Sequence, residues 1–152
     1  MIQIDPKSTE TKIIQEYLLS VVGPRPIALA STIDNNGIPN LSPFSFFNVF
    51  SGNPPILVFS PARRIRNNTE KDTLKNVQDN SEVVINIVTE SIKEKMVLSS
   101  LDYPSDVDEF LKSGFTHEKS KLIKPFRVKE SPVQMECKVN DIISLGKEGG
   151  SG

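Results

Sequence analysis

The stretch of sequence that decides the fold covers residues 23–47 and reads GPRPIALASTIDNNGIPNLSPFSFF. Within it, residues 27–33 alternate large with small or polar side chains, a pattern typical of a β-strand. The turn at residues 34–37 contains Asn-Gly, which tolerates the positive φ that a tight hairpin demands. An extended segment over residues 38–50 follows and is interrupted by Pro43. The stretch therefore predicts a β-hairpin.

Outside this hairpin, the first half of the chain adds one helix and one strand. Apolar side chains recur at helical intervals over residues 11–22, and Gly23 with Pro24 ends that segment. The sequence GNPP at residues 52–55 turns the chain into a strand at residues 56–60. We therefore expect a short helix followed by strands joined by short turns.

The middle of the chain predicts a helix and then a buried strand. Residues 71–80 read as a helix, with Asp72 or Thr69 available to cap its first amides. Residues 81–89 form a nearly continuous apolar run, which suits a strand buried on both faces. This run is therefore expected to be a central strand of the sheet.

The last third returns from helical to alternating patterns. Helical spacing extends over residues 91–111, and residues 133–145 alternate, which places four side chains on one face: Val133, Met135, Cys137 and Val139. The sequence GKEGGSG follows at residues 146–152. Either this segment is a flexible tail, or it is a hairpin turn whose partner strand is missing from the sequence. Because a turn normally leads into a second strand, we favour the second interpretation.

Composition limits the class of protein. With 152 residues, of which 37% are hydrophobic, the chain can bury one core, so we expect a single domain over residues 1–152. Lys and Arg number 18 against 19 Asp and Glu, which argues against nonspecific nucleic-acid binding. No apolar run approaches the roughly 20 residues that cross a bilayer. The single Cys137 and an N-terminus without signal-peptide features predict a cytoplasmic location.

Two neighbouring segments carry side chains suited to a phosphorylated heterocycle. The segment SPFSFFNVF at residues 42–50 combines hydroxyls, an amide and aromatic surface, although its phenylalanines could equally form core. The loop PARRIRNNTE at residues 61–70 is basic and opens a helix, which suits a phosphate, although a basic loop is also a common solvated surface. Their order along the chain favours a binding site.

Other chemistry finds little support in the sequence. No GxGxxG or GxxxxGK[ST] motif occurs, which argues against a Rossmann or P-loop nucleotide site. His117 is the only histidine and has no partner set for zinc, so we expect an exposed loop residue and no metal site. Cys137 is expected to be a core residue, and no serine lies in a GxSxG elbow. We therefore predict no catalytic side chain.

Five fragments, in this order, resemble the flavin reductase-like, FMN-binding split-barrel proteins: GPRPIALAST, the asparagine of IPN, SPFSFF, NPP and KDTLKN. The likeness is strongest over residues 22–86. It implies a mainly β fold, an antiparallel, Greek-key-like split β-barrel with a few inserted helices, which agrees with strands that follow one another as hairpins. It also implies an FMN-bound homodimer whose site lies near the subunit interface.

Carried over position by position, the resemblance assigns cofactor-binding residues in two groups. The flavin contacts fall at Arg25, Thr32, Pro43, Phe44, Ser45, Phe46 and Asn48. The phosphate contacts fall at Ser60, Arg64, Lys71 and Thr73.

The resemblance implies an NAD(P)H-dependent flavin reductase-like oxidoreductase, in which the flavin performs the redox chemistry. Two other interpretations stay open. One is an FMN electron carrier of the flavoredoxin type, which receives electrons from a protein partner. The other is a non-enzymatic β-barrel binding module that uses Phe44, Phe46 and the arginine loop. Retention of flavin by the purified protein, and bleaching of that flavin by NADH, distinguish the reductase, the electron carrier and the binding module.

Overall fold

The computed structural model, which describes residues 3–152, mixes helices with antiparallel sheets in near-equal shares, 23% and 25% of the chain. The expected mainly β composition is therefore only loosely met. The helices are α1 (Thr11–Val21), α2 (Asp72–Asn80), α3 (Lys93–Ser99) and α4 (Glu109–Ser113), with a 3-10 turn at Glu90–Ile92. The strands are β1 (Ala28–Ile33), β2 (Pro39–Phe44), β3 (Phe47–Gly52), β4 (Pro55–Phe59), β5 (Glu82–Ile87), β6 (His117–Glu118), β7 (Arg127–Val128) and β8 (Gln134–Lys138).

The strands pair in three separate antiparallel sheets. The main sheet has the order β2-β1-β5-β8, while β3 pairs with β4 and β6 pairs with β7. The predicted hairpin is confirmed, and β5 is central as expected. Among the described residues the pairings do not close into one ring, because β3 leaves the main sheet after β2. The extended segment is interrupted at Ser45 and Phe46, between β2 and β3. The predicted interruption at Pro43 was wrong, since Pro43 lies inside β2.

Alternation along β1 supplies two hydrophobic cores, one on each face of the main sheet. Ala28 and Ala30 join the core that also contains Phe44, Val77 and Ile85. Leu29, between them, points to the opposite core, whose other members are Leu41, Ile92, Phe110, Phe115 and Val128. Small residues at 28 and 30 leave room for α2, which packs over that face. The sheet is thus covered on both sides, with α4 over the second core.

The polar residue that interrupts the apolar run of β5 joins the main sheet to the β6–β7 hairpin. Asn86 is fully buried. Its Nδ2 donates to the Leu29 carbonyl oxygen at 3.0 Å, and its Oδ1 accepts from the Val128 amide at 2.9 Å. Because both ends of the amide are satisfied, Asn86 fixes the hairpin without leaving an unpaired buried group.

The prediction for residues 133–145 is only partly right. β8 ends at Lys138, and residues 139–145 form no strand. Met135, Cys137 and Val139 do pack against the first core, whereas Val133 is about half exposed. Residues 146–152 fold back on the basic loop, where the Gly150 amide donates to the Arg63 carbonyl at 2.9 Å. A Cβ at Gly149 would lie 2.9 Å from Ile65 Cα, so this close approach requires glycine.

Two prolines line the outer edge of β2, which pairs only with β1. Pro39, Leu41 and Pro43 alternate along the strand, so they share the same edge. Proline has no N–H, and therefore Leu41 carries the only amide available on that edge. That amide donates to Glu109 Oε2 at 3.0 Å. The edge is thereby closed without a neighbouring strand.

Helix α1 begins at the predicted Thr11 and ends one residue earlier than predicted, at Val21, and it contributes no buried residue. Tyr17, Leu18 and Val21 are all exposed, so much of the apolar stripe that predicted the helix is not covered by the described part of this chain. Within residues 3–152, no helix is both long and apolar enough to cross a membrane.

A carboxylate in β8 anchors the loop before β7 and predicts an acid-sensitive contribution to stability. Glu136 accepts from the Lys121 and Leu122 amides at 2.9 and 2.7 Å. Burial acts to raise the pKa of Glu136, but these amides and Arg127 outweigh it and lower the pKa. The contribution is therefore present above the ordinary glutamate pKa and is lost as the pH falls below it.

We expect Glu136→Gln to lower the free energy of unfolding by about 1–3 kcal/mol near neutral pH. The difference from the wild-type chain should shrink in acid, where the wild-type carboxyl is also protonated. Urea unfolding at several pH values measures this difference. Glu94→Gln, on the exposed face of α3, is the control and should change little at any pH. A pH-independent difference would contradict the assignment.

Candidate functional site

One polar pocket lies where β2, the basic loop, the start of α2 and the α3–α4 connection meet. Its lining combines cations, carboxylates and hydroxyls: Asn40, Ser42, Arg64, Lys71, Asp72, Thr73, Ser99, Leu101, Asp102, Tyr103 and Glu109. Three of the four predicted phosphate contacts therefore line one pocket, namely Arg64, Lys71 and Thr73.

The basic loop is held by its own hydrogen bonds. The Arg63 guanidinium donates to Asn68 Oδ1 at 2.8 Å and to Glu70 Oε1 at 2.7 Å. The Arg64 amide donates to the Thr69 carbonyl at 2.9 Å, and the Asn68 amide donates back to the Arg64 carbonyl at 2.8 Å. Asn68 adopts a positive φ of 56°, which asparagine tolerates. The loop therefore presents Arg64 from a defined backbone.

Arg64 is oriented by acceptors on three sides and is only 19% exposed. Its Nη1 donates to the Glu70 carbonyl at 2.5 Å, and its Nε lies 3.2 Å from Asp102 Oδ1. Its Nη2 lies 3.6 Å from Asp72 Oδ2, a longer contact. Arg66 also pairs with Asp102, at 2.6 Å. The Arg66 hydrogen bond and the charges of Arg64 and Lys71 lower the pKa of Asp102, which is therefore ionised at neutral pH.

Of the two cations that line the pocket, Lys71 is the one without a side-chain partner among the described residues. Among the described residues, none of the side-chain hydrogen bonds or ion pairs involves its ammonium, although the residue is half-buried in the pocket. Burial lowers the pKa of Lys71, and repulsion by Arg64 lowers it further, against the attraction of Asp102 and Asp72. An anion in the pocket would reverse this balance, because it would pair with the ammonium.

The start of α2 also lacks a side-chain cap. Lys71 occupies the N-cap position and no side chain accepts from the first turn, so the predicted capping by Asp72 or Thr69 was wrong. Thr69 Oγ1 instead donates to Asn67 at 2.8 Å, and Asp72 pairs with Arg64 and Lys75. The predicted start at residue 71 shifts to Asp72. First-turn amides without a cap, next to Arg64 and Lys71, suit a phosphate group.

Five buried polar side chains form a hydrogen-bonded group that we call the Asn40 cluster: Thr32, Asn40, Thr73, Asn76 and Glu109. Asn40, Thr73 and Glu109 also line this pocket. The Thr73 hydroxyl donates to Asn40 Oδ1 at 2.8 Å, and the Thr32 hydroxyl lies 3.2 Å from the same oxygen. Asn40 Nδ2 donates to Glu109 Oε1 at 3.0 Å. Burial raises the pKa of Glu109, more strongly than the hydrogen bonds from Leu41 and Asn40 lower it. The hydroxyls of Thr32 and Thr73 are thus engaged in the interior, and their assignment as cofactor contacts stays a prediction.

The predicted flavin strand forms a corner between β2 and β3. Phe44 is buried and packs against Phe59, with ring centroids 5.6 Å apart, so it serves the core. Phe46 is 38% exposed, Ser45 and Pro43 are half-buried, and Asn48 is exposed with its Oδ1 accepting from the Val49 amide. Ser42, which lines the pocket, directly precedes Pro43. The corner therefore continues from the pocket along one strand.

Ser60 and Arg25 lie outside the pocket lining. The Ser60 amide donates to the Phe46 carbonyl at 2.9 Å, which ties it to the corner, and its buried Oγ has no partner among the described residues. Arg25 Nη1 donates to the Leu19 carbonyl at 2.6 Å and also to the Val22 carbonyl, so it caps the end of α1. Its Nε is buried and meets no hydrogen-bond acceptor within residues 3–152. Both assignments stay predictions.

Sequence reasoning missed Asp102, Tyr103 and Glu109, and it named Asn40 only as part of a motif. Glu109 follows Asp108, which caps α4 by accepting from the Phe110 amide at 2.9 Å. The expectation for His117 was wrong, because it lies half-buried in β6 with Nε2 3.0 Å from Asp108. Within residues 3–152, no group of three potential metal ligands occurs.

A protein-family model and a relative each match most of this chain. The family model described as "Flavin reductase like domain" matches residues 23–149. An uncharacterized protein of Aquifex aeolicus is 46% identical over 133 residues, which cover 88% of this chain and 67% of that protein.

Two solved structures share the fold. Nitrilotriacetate monooxygenase component B from Bacillus cereus superposes with a TM-score of 0.92 at 28% identity, covering 99% of this chain and 75% of that one. A protein with a split barrel domain from Shewanella frigidimarina gives 0.81 at 26% identity, covering 98% and 74%. This chain thus spans between 67% and 75% of the length of each of these three proteins. With the family model matching most of its length, the chain belongs to the flavin reductase-like family of split-barrel proteins.

Proposed function

We propose that the chain binds FMN and acts as an NAD(P)H-dependent flavin reductase-like oxidoreductase. The observation that carries this proposal is the half-buried, unpartnered ammonium of Lys71 beside Arg64 and the uncapped start of α2. A terminal phosphate would pair with both cations and accept from the free amides, and it would give the Lys71 ammonium and these amides the partner that the described residues do not supply.

The corner after β2 is where we propose that the flavin ring lies. Ser42 lines the pocket and Phe46 follows four residues later, so along an extended strand the two are at most about 13 Å apart. Pro43, Ser45, Phe46 and Asn48 offer a partly exposed mixture of aromatic surface, hydroxyl and amide groups. The unpartnered Ser60 Oγ, whose backbone is tied to this corner, is a further group that the cofactor could satisfy.

When bound, FMN supplies hydride acceptance and electron transfer. The chain's own groups then have a limited task. Arg64 and Lys71 bind the phosphate, while backbone amides at the corner stabilise negative charge on the ring. We assign no catalytic side chain, because no acid or base is obligatory for hydride transfer between the two cofactors. A cytoplasmic location stays a prediction from the sequence.

We also propose that the protein works as a homodimer. The support is the exposed apolar stripe of α1, including Tyr17, Leu18 and Val21, together with Val49 and Phe50 of β3. Such surfaces mark protein interaction sites, and a closed two-fold dimer is the commonest arrangement among soluble oligomers. Sedimentation of the purified chain measures this directly.

The test of the proposed function is the visible spectrum of the purified protein after FMN addition and desalting, followed by anaerobic NADH and then NADPH. Retained flavin that either nucleotide bleaches supports the reductase. Retained flavin that neither bleaches favours the electron carrier, and protein without flavin favours the binding module. The proposal fails in the last two cases.

Asp102 would compete with a bound phosphate for Arg64. Its carboxylate contacts both Arg64 and Arg66, and each such partly exposed ion pair contributes up to about 1 kcal/mol. We therefore expect Asp102→Asn to tighten FMN binding by about twofold to fivefold, as measured by titration of flavin fluorescence. Asp106→Asn, an exposed change of the same charge in the same connection, is the control. Weaker binding by Asp102→Asn would show instead that Asp102 orients Arg64 for the ligand.

A further inference from the structure

The Asn40 cluster joins four elements through hydrogen bonds that have one consistent direction. Asn76 Nδ2 donates to Thr32 Oγ1 at 3.0 Å, and the hydroxyls of Thr32 and Thr73 both donate to Asn40 Oδ1. This leaves Asn40 Nδ2 to donate to Glu109, whose carboxylate can only accept. The charge of Glu109 therefore determines which way the Asn40 amide points.

The second oxygen of Glu109 acts on the backbone. Glu109 Oε2 accepts the Leu41 amide, the one N–H that the proline-lined edge of β2 offers. One side chain from α4 thus takes the place of a neighbouring strand along β2. It also fixes Asn40, which holds Thr73 in the first turn of α2. The two oxygens act on different elements.

We propose that Glu109 is a positioning residue that holds β2 and the start of α2 in the relative placement that FMN requires. This inference rests on the proposed function, because β2 leads into the corner assigned to the ring and α2 starts with the cations assigned to the phosphate. Both carboxylate oxygens of Glu109 are engaged by Asn40 and the Leu41 amide, so Glu109 acts on the site through these two residues. The α3–α4 region is thereby linked to the cofactor site.

The test reverses which residue donates and which accepts in the Glu109–Asn40 hydrogen bond. In Glu109→Gln, the new amide places a donor against either Asn40 Nδ2 or the Leu41 amide, so one of the two bonds is lost. In the double variant Glu109→Gln with Asn40→Asp, the glutamine donates to the new carboxylate. That carboxylate still accepts from Thr32 and Thr73, and the net charge equals that of the wild-type chain.

FMN is titrated into each variant at a temperature at which thermal melts show every protein to be folded. We expect Glu109→Gln to raise the Kd by about tenfold, within the range for coupled sites, and to change the visible circular dichroism of bound FMN. The double variant should return both readouts close to the wild-type values. Val128→Ala, a fully buried change in the core beneath α4, serves as the stability control and should leave the Kd unchanged.

Three outcomes would overturn this inference. One is an unchanged Kd for Glu109→Gln, and another is a Kd that follows stability, so that Val128→Ala weakens binding equally. The third is a double variant that folds but binds no better than Glu109→Gln. If Glu109→Gln does not fold, Glu109→Asp keeps the charge, shortens the reach and is expected to give the same weakening. A wild-type chain that does not bind FMN would instead overturn the proposed function, and this inference with it.

Discussion

Replacing Arg64 and Lys71 together with alanine is expected to weaken FMN binding by roughly 10²–10⁴-fold. Each cation would make a charge-assisted hydrogen bond to the phosphate, and such a bond contributes about 1.5–3 kcal/mol. Both groups are more than half-buried, so water screens their interaction with a phosphate less than it does at an exposed ion pair. The effect should therefore exceed that of any other pair of cations in the chain.

Flavin fluorescence titration of the double variant measures this effect, and riboflavin provides the sharper comparison because it lacks the phosphate. We expect riboflavin affinity to change little, so that the variant binds the two flavins almost equally. Lys112→Ala with Lys119→Ala removes the same charge from exposed positions outside the pocket and controls for long-range attraction. Unchanged FMN affinity in the Arg64 and Lys71 variant would remove both residues from the site.

Phe110→Ala is expected to lower the free energy of unfolding by about 3–5 kcal/mol, which corresponds to a Tm lower by about 6–20 °C. Phe110 is fully buried in the second core, and its ring stacks on His117 with centroids 4.4 Å apart. Truncation would leave a cavity under α4, because the sheet below cannot collapse into the space. Thermal and urea unfolding measure the loss.

The neighbouring residue supplies the control. Leu111 is 70% exposed, so Leu111→Ala should change stability by no more than about 0.5 kcal/mol. Equal effects at the two positions would contradict the packing described for α4. Because α4 carries Glu109, we also expect Phe110→Ala to bind FMN more weakly than the wild-type chain at temperatures where both are folded.

Local patterns in the sequence predicted the local structure well. The Asn-Gly turn, the alternation of residues 27–33 and the apolar run at 81–89 each encode an element within a few neighbours. The sequence also singled out Arg64 and Lys71, which are close along the chain and line one pocket, while their role as phosphate contacts stays a prediction. The predictions that were confirmed therefore rest on short-range chemistry.

What the sequence could not predict depends on contacts between distant residues. Glu109 bonds to a residue 69 positions earlier, and nothing in the spacing of Asp108 and Glu109 distinguishes the capping carboxylate from the one that crosses to β2. The helix pattern of α1 was correct, but amphipathicity cannot say whether the partner of an apolar face belongs to the same chain. The prediction that Asp72 or Thr69 caps α2 was wrong because Asp72 pairs with Arg64 and the Thr69 hydroxyl donates to Asn67.

The prolines along β2 also bear on how this protein behaves at high concentration. Intermolecular β-aggregation begins when an exposed strand offers a row of free amides to another chain. Pro39 and Pro43 remove two of those amides, and Glu109 already holds the amide of Leu41. The sheet can therefore recruit a further strand beside β8 but not beside β2. Edge-to-edge aggregation of the main sheet should begin at β8, and β2, the strand next to the cofactor pocket, should be spared.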